Sequence, residues 1–119
     1  MKIIINESNI KNVFKRLNID LSGKIQMVTS TYDLPIEFDE FFTPQLLRAY
    51  LNNFGPMFVI ESGDDVYLYQ HQGKIRTLLI DVDGNAYKEN DFLTNILNIP
   101  PMGISLGDVV DTFSDEYDN

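Results

Sequence analysis

The sequence predicts an α+β domain: an antiparallel sheet, a meander of three to four strands plus N-terminal strands, covered by helices on one face. Three observations predict it. Apolar residues near both ends of the chain recur at helical spacing, whereas those of residues 57–88 fall into short strand-like runs. Short turns separate those runs, too short for the crossovers that parallel strands need. Finally, 119 residues at 44% hydrophobic and 12% aromatic suffice for one folded domain and are too apolar for a disordered chain.

Taken in order, Ile3 and Ile5 alternate with polar neighbours and predict a short strand. Asn6 or Ser8 then caps a helix in which Ile10, Val13, Phe14 and Leu17 share one face. Lys11, Lys15 and Arg16 lie away from that face. A loop over 18–23 leads to a second strand over 24–30, with Ile25, Met27 and Val28 as its apolar content. The stretch 33–42 suits a short helix with Pro35 in its first turn and Phe38, Phe41 and Phe42 at helical spacing. Thr43-Pro44 starts another helix, Thr43 as N-cap and Pro44 at the first position, where no amide donor is needed. Its stripe is Leu46, Leu47, Tyr50, Leu51 and Phe54, and Gly55-Pro56 stops it.

Strands follow over 57–61, 66–70 and 74–81, with turns at 62–65 and around Gln72-Gly73. Asp83-Gly84 is a strong hairpin dipeptide, with 85–88 as the return strand. Asn90 or Asp91 caps a short helix carrying Phe92, Leu93, Ile96 and Leu97. Ser105 caps the last helix with Asp108 in the capping-box position. That helix is expected to continue past Phe113, with Leu106, Val109, Val110, Phe113 and Tyr117 as its buried stripe.

Composition narrows the function classes. No apolar run approaches the roughly 20 residues that span a bilayer, so no membrane partner is expected. The start lacks the apolar stretch of a signal peptide, and a cytoplasmic location is expected. With no cysteine there is no disulfide, thiol nucleophile or zinc-thiolate site. The net charge of −9 is uneven: five of the nine bases (Lys2, Lys11, Lys15, Arg16, Lys24) lie in the first 30 residues. Beyond them, only Arg48, Lys74, Arg76 and Lys88 oppose a large excess of acids. Binding to a phosphate backbone needs the reverse balance, so direct nucleic-acid binding is not expected. A negative field favours solubility and basic partners.

Candidate chemistry is sparse. In Asp81-Val82-Asp83-Gly84-Asn85, Asp81, Asp83 and Asn85 match the first, third and fifth ligands of a calcium loop. Ala86 stands where that loop needs glycine, and Phe92 where it needs a bidentate glutamate. With Leu78-Leu79-Ile80 before them, the same residues resemble the first motif of haloacid-dehalogenase-type phosphatases, with Asn85 in place of its Thr or Val. A hairpin turn is the simpler reading. Asp64 and Asp65 lie in a turn and could meet Asp81 or Asp83 across the sheet; Asp64, Asp81 and Asp83 are the weak candidates for a divalent metal, and hence for a phosphoesterase. His71, the single histidine, reads as an exposed turn residue. No cofactor is expected, and an enzyme is the weaker class.

The last helix gives the strongest functional pointer. Asp108, Asp111, Asp115 and Asp118 share one helical face, with Glu116 beside them, opposite the buried stripe. Asp108 suits the helix start, but Asp115, Glu116 and Asp118 oppose the dipole at the other end. Local stability therefore does not account for the stripe, which is either solubilising or a docking face for something basic. Lys11, Lys15 and Arg16 form an isolated basic patch that could meet a phosphate or the acidic stripe of another copy.

Met1 to Ser8, running into a basic amphipathic helix, resembles the start of short accessory proteins of large tailed bacteriophages. A fainter likeness, in Leu34-Pro35 followed by Phe38 and Phe41, is to a family of small immunity proteins, whose usual Asn-Gly-Gly is absent. The phage likeness implies a small accessory protein and no catalytic residue. The leading expectation is a non-enzymatic protein-binding module, such as an inhibitor engaging a basic host protein surface. A virion or assembly component forming a homo-oligomer is the first alternative, and a metal-dependent phosphoesterase the second.

Overall fold

The computed structural model describes residues 7–74 and 76–114. The strand expected at Ile3 and Ile5 lies outside them. Helix α1 (Glu7–Arg16) buries Ile10 and Phe14. Its end is set by Asn18, which takes φ 59° while the Ile19 amide donates to the Phe14 carbonyl and the Asn18 amide to that of Lys15. The helix stops before Leu17 can join the stripe, leaving that side chain 41% exposed.

Strand β1 (Ile25–Val28) is followed by two short 3-10 turns, Thr31–Asp33 and Ile36–Phe38, rather than the helix expected over 33–42. Pro35 is the physical reason. Its ring disfavours helical backbone at the preceding residue, and Leu34 is extended at φ −82° and ψ 125°. Phe38 and Phe42 are nevertheless buried. Helix α2 (Pro44–Phe54) forms as its punctuation predicts. The Thr43 hydroxyl accepts from the Leu46 amide at 3.1 Å, and Gly55 ends the helix at φ 91°.

Strands β2 (Met57–Ser62), β3 (Asp65–His71) and β4 (Thr77–Asp81) follow in sequence. All four strands form one antiparallel sheet in the order β1-β2-β3-β4. The return strand expected after Asp83-Gly84 shrinks to an isolated bridge between Ile80 and Ala86. One helical turn, α3 (Glu89–Asp91), opens into a π-helical turn over Phe92–Ile96, where the Leu97 amide reaches back to the Phe92 carbonyl.

The α+β class and the antiparallel meander are therefore as expected, but the cover differs: helical segments pack on both faces of the sheet. Ile25, Phe58, Ile60, Tyr67, Tyr69 and Leu79 face α1, the π-helical turn and the last helix. Val28, Met57, Val59 and Leu68 face α2, Phe38 and Phe42. Alternate side chains of a strand point to opposite faces, so a strand buried on both sides reads as an unbroken apolar run. Met57-Phe58-Val59-Ile60 is such a run.

Helix α4 (Leu106–Phe113) begins with the expected capping box: Ser105 Oγ accepts from the Asp108 amide, and the Asp108 carboxylate accepts from the Ser105 amide. It packs against α1 through stacked Phe14 and Phe113 rings, 5.3 Å apart. The helix expected to run on to Tyr117 instead ends at Phe113. Ser114 is extended and bridges to Ile25, covering part of the open edge of β1.

Candidate functional site: an acidic cleft at the start of α4

The site is assembled by strand alternation. Phe58 is paired with Tyr69, and His71 with Thr77, so these four residues share the sheet face that looks toward α4. Between that face and the start of α4 lies a cleft of about 470 Å³ whose walls include Phe58, Tyr69, His71, Lys74, Glu89, Ser105, Asp108 and Asp111. Gly107 also lines it. A Cβ there would stand 3.6 Å from the Tyr69 hydroxyl, so that hydroxyl lies close against the first turn of the helix.

Among the described residues that line the cleft, Glu89, Asp108 and Asp111 carry carboxylates and Lys74 an ammonium. Glu89 Oε1 accepts from Thr77 Oγ1 at 2.7 Å, and Asp108 Oδ2 accepts from the Ser105 amide at 3.3 Å. An ionised carboxylate has about four acceptor positions, so both keep spare capacity. Tyr69 is only 2% exposed, yet among the described residues its hydroxyl makes no hydrogen bond. Burial, then the negative charges of Glu89, Asp111 and Asp108, hold its phenol well above the usual range. The hydroxyl is thus a neutral donor and acceptor at physiological pH.

The structure treats the sequence-derived candidates unequally. Asp108 and Asp111 line the cleft, whereas Asp115, Glu116 and Asp118 lie outside the described residues. Because α4 ends at Phe113, the helical register that would align all four aspartates runs only as far as the first two. Lys11 and Lys15 border a separate depression of about 460 Å³ with Phe14, Asn18, Ile19 and Phe113, and Arg16 is exposed outside it.

Asp81 has a purely local task. Its Oδ1 accepts from the amides of Asp83 and Asn85, and its Oδ2 from Asn85 Nδ2 and from the Tyr87 hydroxyl at 2.6 Å. Desolvation pushes its pKa up, but the hydrogen bonds from Tyr87, Asn85 and Asp83 together outweigh it and hold the carboxyl below its ordinary value. The same contact pushes the Tyr87 phenol up to about 12. Asp64 sits exposed in the β2–β3 hairpin turn and Asp83 exposed in its own turn. Among the described residues, no group of three acidic or histidine side chains could hold a metal ion, so Asp64, Asp81 and Asp83 are not brought together as one.

Sequence reasoning missed Tyr69, Glu89 and Thr77. The alternation Tyr67, Tyr69, His71 carried part of the signal, since it puts three polar-tipped rings on one face. Their meeting with Ser105 and Asp108 depends on how α4 packs, which no local pattern encodes. No family model matches the chain, and no curated protein or solved structure was found to be significantly similar to it.

Proposed function

We propose that this chain is a non-enzymatic acidic protein-binding module that engages a basic protein surface, in the manner of an accessory protein or inhibitor. The observation that carries this reading is the gathering of Glu89, Asp108 and Asp111 around one cleft, where Lys74 is the basic side chain among the described lining residues. Like charges held together cost folding energy, and a cationic partner recovers that cost on binding. The net charge of −9 supports the same reading at long range, because it draws basic surfaces toward the molecule.

The test is fluorescence anisotropy with a labelled arginine-rich peptide at low and high salt. Replacing Asp108 and Asp111 together by Asn is expected to weaken binding roughly tenfold, or about 1.4 kcal/mol. The charge-matched pair Asp64→Asn with Asp65→Asn, in the hairpin turn, is expected to change it little. Equal losses from both pairs, or binding indifferent to salt, would show that no specific basic-partner face exists.

A homo-oligomeric assembly role is the second reading. It is favoured by Tyr32 and Ile36, which stand 95% and 77% exposed in neighbouring 3-10 turns. Light scattering separates the two: a stable oligomer supports this role, and a clean monomer removes it.

A further inference from the structure

We propose that the cleft at the start of α4 is a socket for a guanidinium group, so that the basic partner is recognised through an inserted arginine side chain. This rests on the protein-binding reading above and specifies what its site takes.

The first ground is charge. Glu89, Asp108 and Asp111 face one cleft, with Lys74 on the same wall. The helix start alone would favour an anion. Here its capping box already engages the Asp108 amide, and the carboxylates reverse the local sign.

The second ground is independent of charge. The Tyr69 hydroxyl belongs to a side chain 98% removed from solvent, lines the cleft and has no hydrogen-bond partner among the described residues. The hydroxyl tip itself opens on the cleft, where a ligand can take the place of water as its partner.

The third ground is geometric. Guanidinium offers five N–H donors in one plane and is weakly hydrated. The walls of the cleft supply acceptors on Glu89, Asp108 and Tyr69, and the nearly buried Phe58 and Tyr69 rings form its floor. An ammonium is a compact, strongly hydrated point charge and uses such a wall less well. A volume of about 470 Å³ accommodates one such side chain with part of its backbone.

The experiment titrates the full chain with three capped tripeptides, Gly-Arg-Gly, Gly-Lys-Gly and Gly-citrulline-Gly, followed by amide chemical shifts. Citrulline keeps the shape of arginine without its charge. The arginine peptide is expected to shift Tyr69, Gly107 and Asp108 saturably, with a dissociation constant in the roughly millimolar range for so small a ligand. The lysine peptide is expected to bind several-fold more weakly and the citrulline peptide not at all. Tyr69→Phe is expected to weaken the arginine peptide several-fold without lowering the melting temperature, since the hydroxyl holds nothing together in the free protein.

Equal binding of arginine and lysine peptides, or full affinity in Tyr69→Phe, overturns the socket. If the tripeptide leaves the cleft unperturbed while the longer arginine-rich peptide still binds through Asp108 and Asp111, the socket fails and the protein-binding reading stands. If that longer peptide also fails to bind, both fall.

Discussion

At the scale of single residues, hydrogen-bond accounting separates structural aspartates from available ones. Asp81 spends both oxygens on its own loop, which is why an Asp-x-Asp-Gly-Asn string that invites a metal reading is a built turn. Gly84 belongs to that turn for a steric reason: its φ is 86°, and a Cβ there would come within 2.8 Å of the Phe41 ring. Since the Asp81 carboxyl is held below its ordinary value of 3.8, its ionised form stabilises the fold. That contribution is complete above the unfolded pKa and disappears as pH falls through the folded one. Asp81→Asn is therefore expected to cost about 1 kcal/mol at neutral pH, discounted for exposure, and the gap from wild type to close below roughly pH 4. Urea melts at neutral and acidic pH measure this; a gap that widens in acid would contradict it. Tyr69 is the opposite case: its ring is buried, while its hydroxyl opens on the cleft and has no hydrogen-bond partner among the described residues.

At the scale of elements, chain punctuation translated faithfully wherever it acts through the backbone. Thr43, Pro44 and Gly55 bound α2, and Ser105 with Asp108 starts α4, because capping and the proline ring are local effects. Over 33–42 the helical spacing of the phenylalanines misled, since Pro35 vetoes continuous helix there while tertiary burial of Phe38 and Phe42 is still achieved. Gln70 was invisible as anything but a strand residue. It is fully buried, and its Nε2 donates to the carbonyl oxygens of Tyr50 at 3.1 Å and Gly55 at 2.8 Å, tying the end of α2 to β3. Gln70→Leu keeps most of the volume but strips its donor from the Gly55 carbonyl and a second donor from that of Tyr50, so a loss of about 2 kcal/mol is expected. The urea midpoint reads it, and an unchanged midpoint would show that the clamp is idle.

For the whole molecule, the decisive feature is that one sheet serves two cores. Strands β2 and β3 contribute alternate residues to both, so neither layer can separate without breaking the other. Leu47→Ala on one face and Leu106→Ala on the other are each expected to cost roughly 2–5 kcal/mol. In both variants, circular dichroism and tyrosine fluorescence should still report one coincident transition. Separate transitions would mean that the layers fold independently. The acidic surplus acts at this scale too, as a negative field that the proposed basic partner would meet before any contact forms.

By itself the sequence determined the α+β class, the antiparallel meander, the two capped helices and the acidic character, because each follows from local periodicity, turn chemistry or simple charge count. It also pointed to Asp108 and Asp111. Only the tertiary structure decided that the sheet is covered on both faces, that α4 ends at Phe113 and that Tyr69 and Glu89 join those aspartates around a cleft. The physical reason is range. Caps, turns and strand alternation are settled within a few residues of chain, whereas the cleft unites side chains from β3, β4, α3 and α4, which meet only once the core has packed.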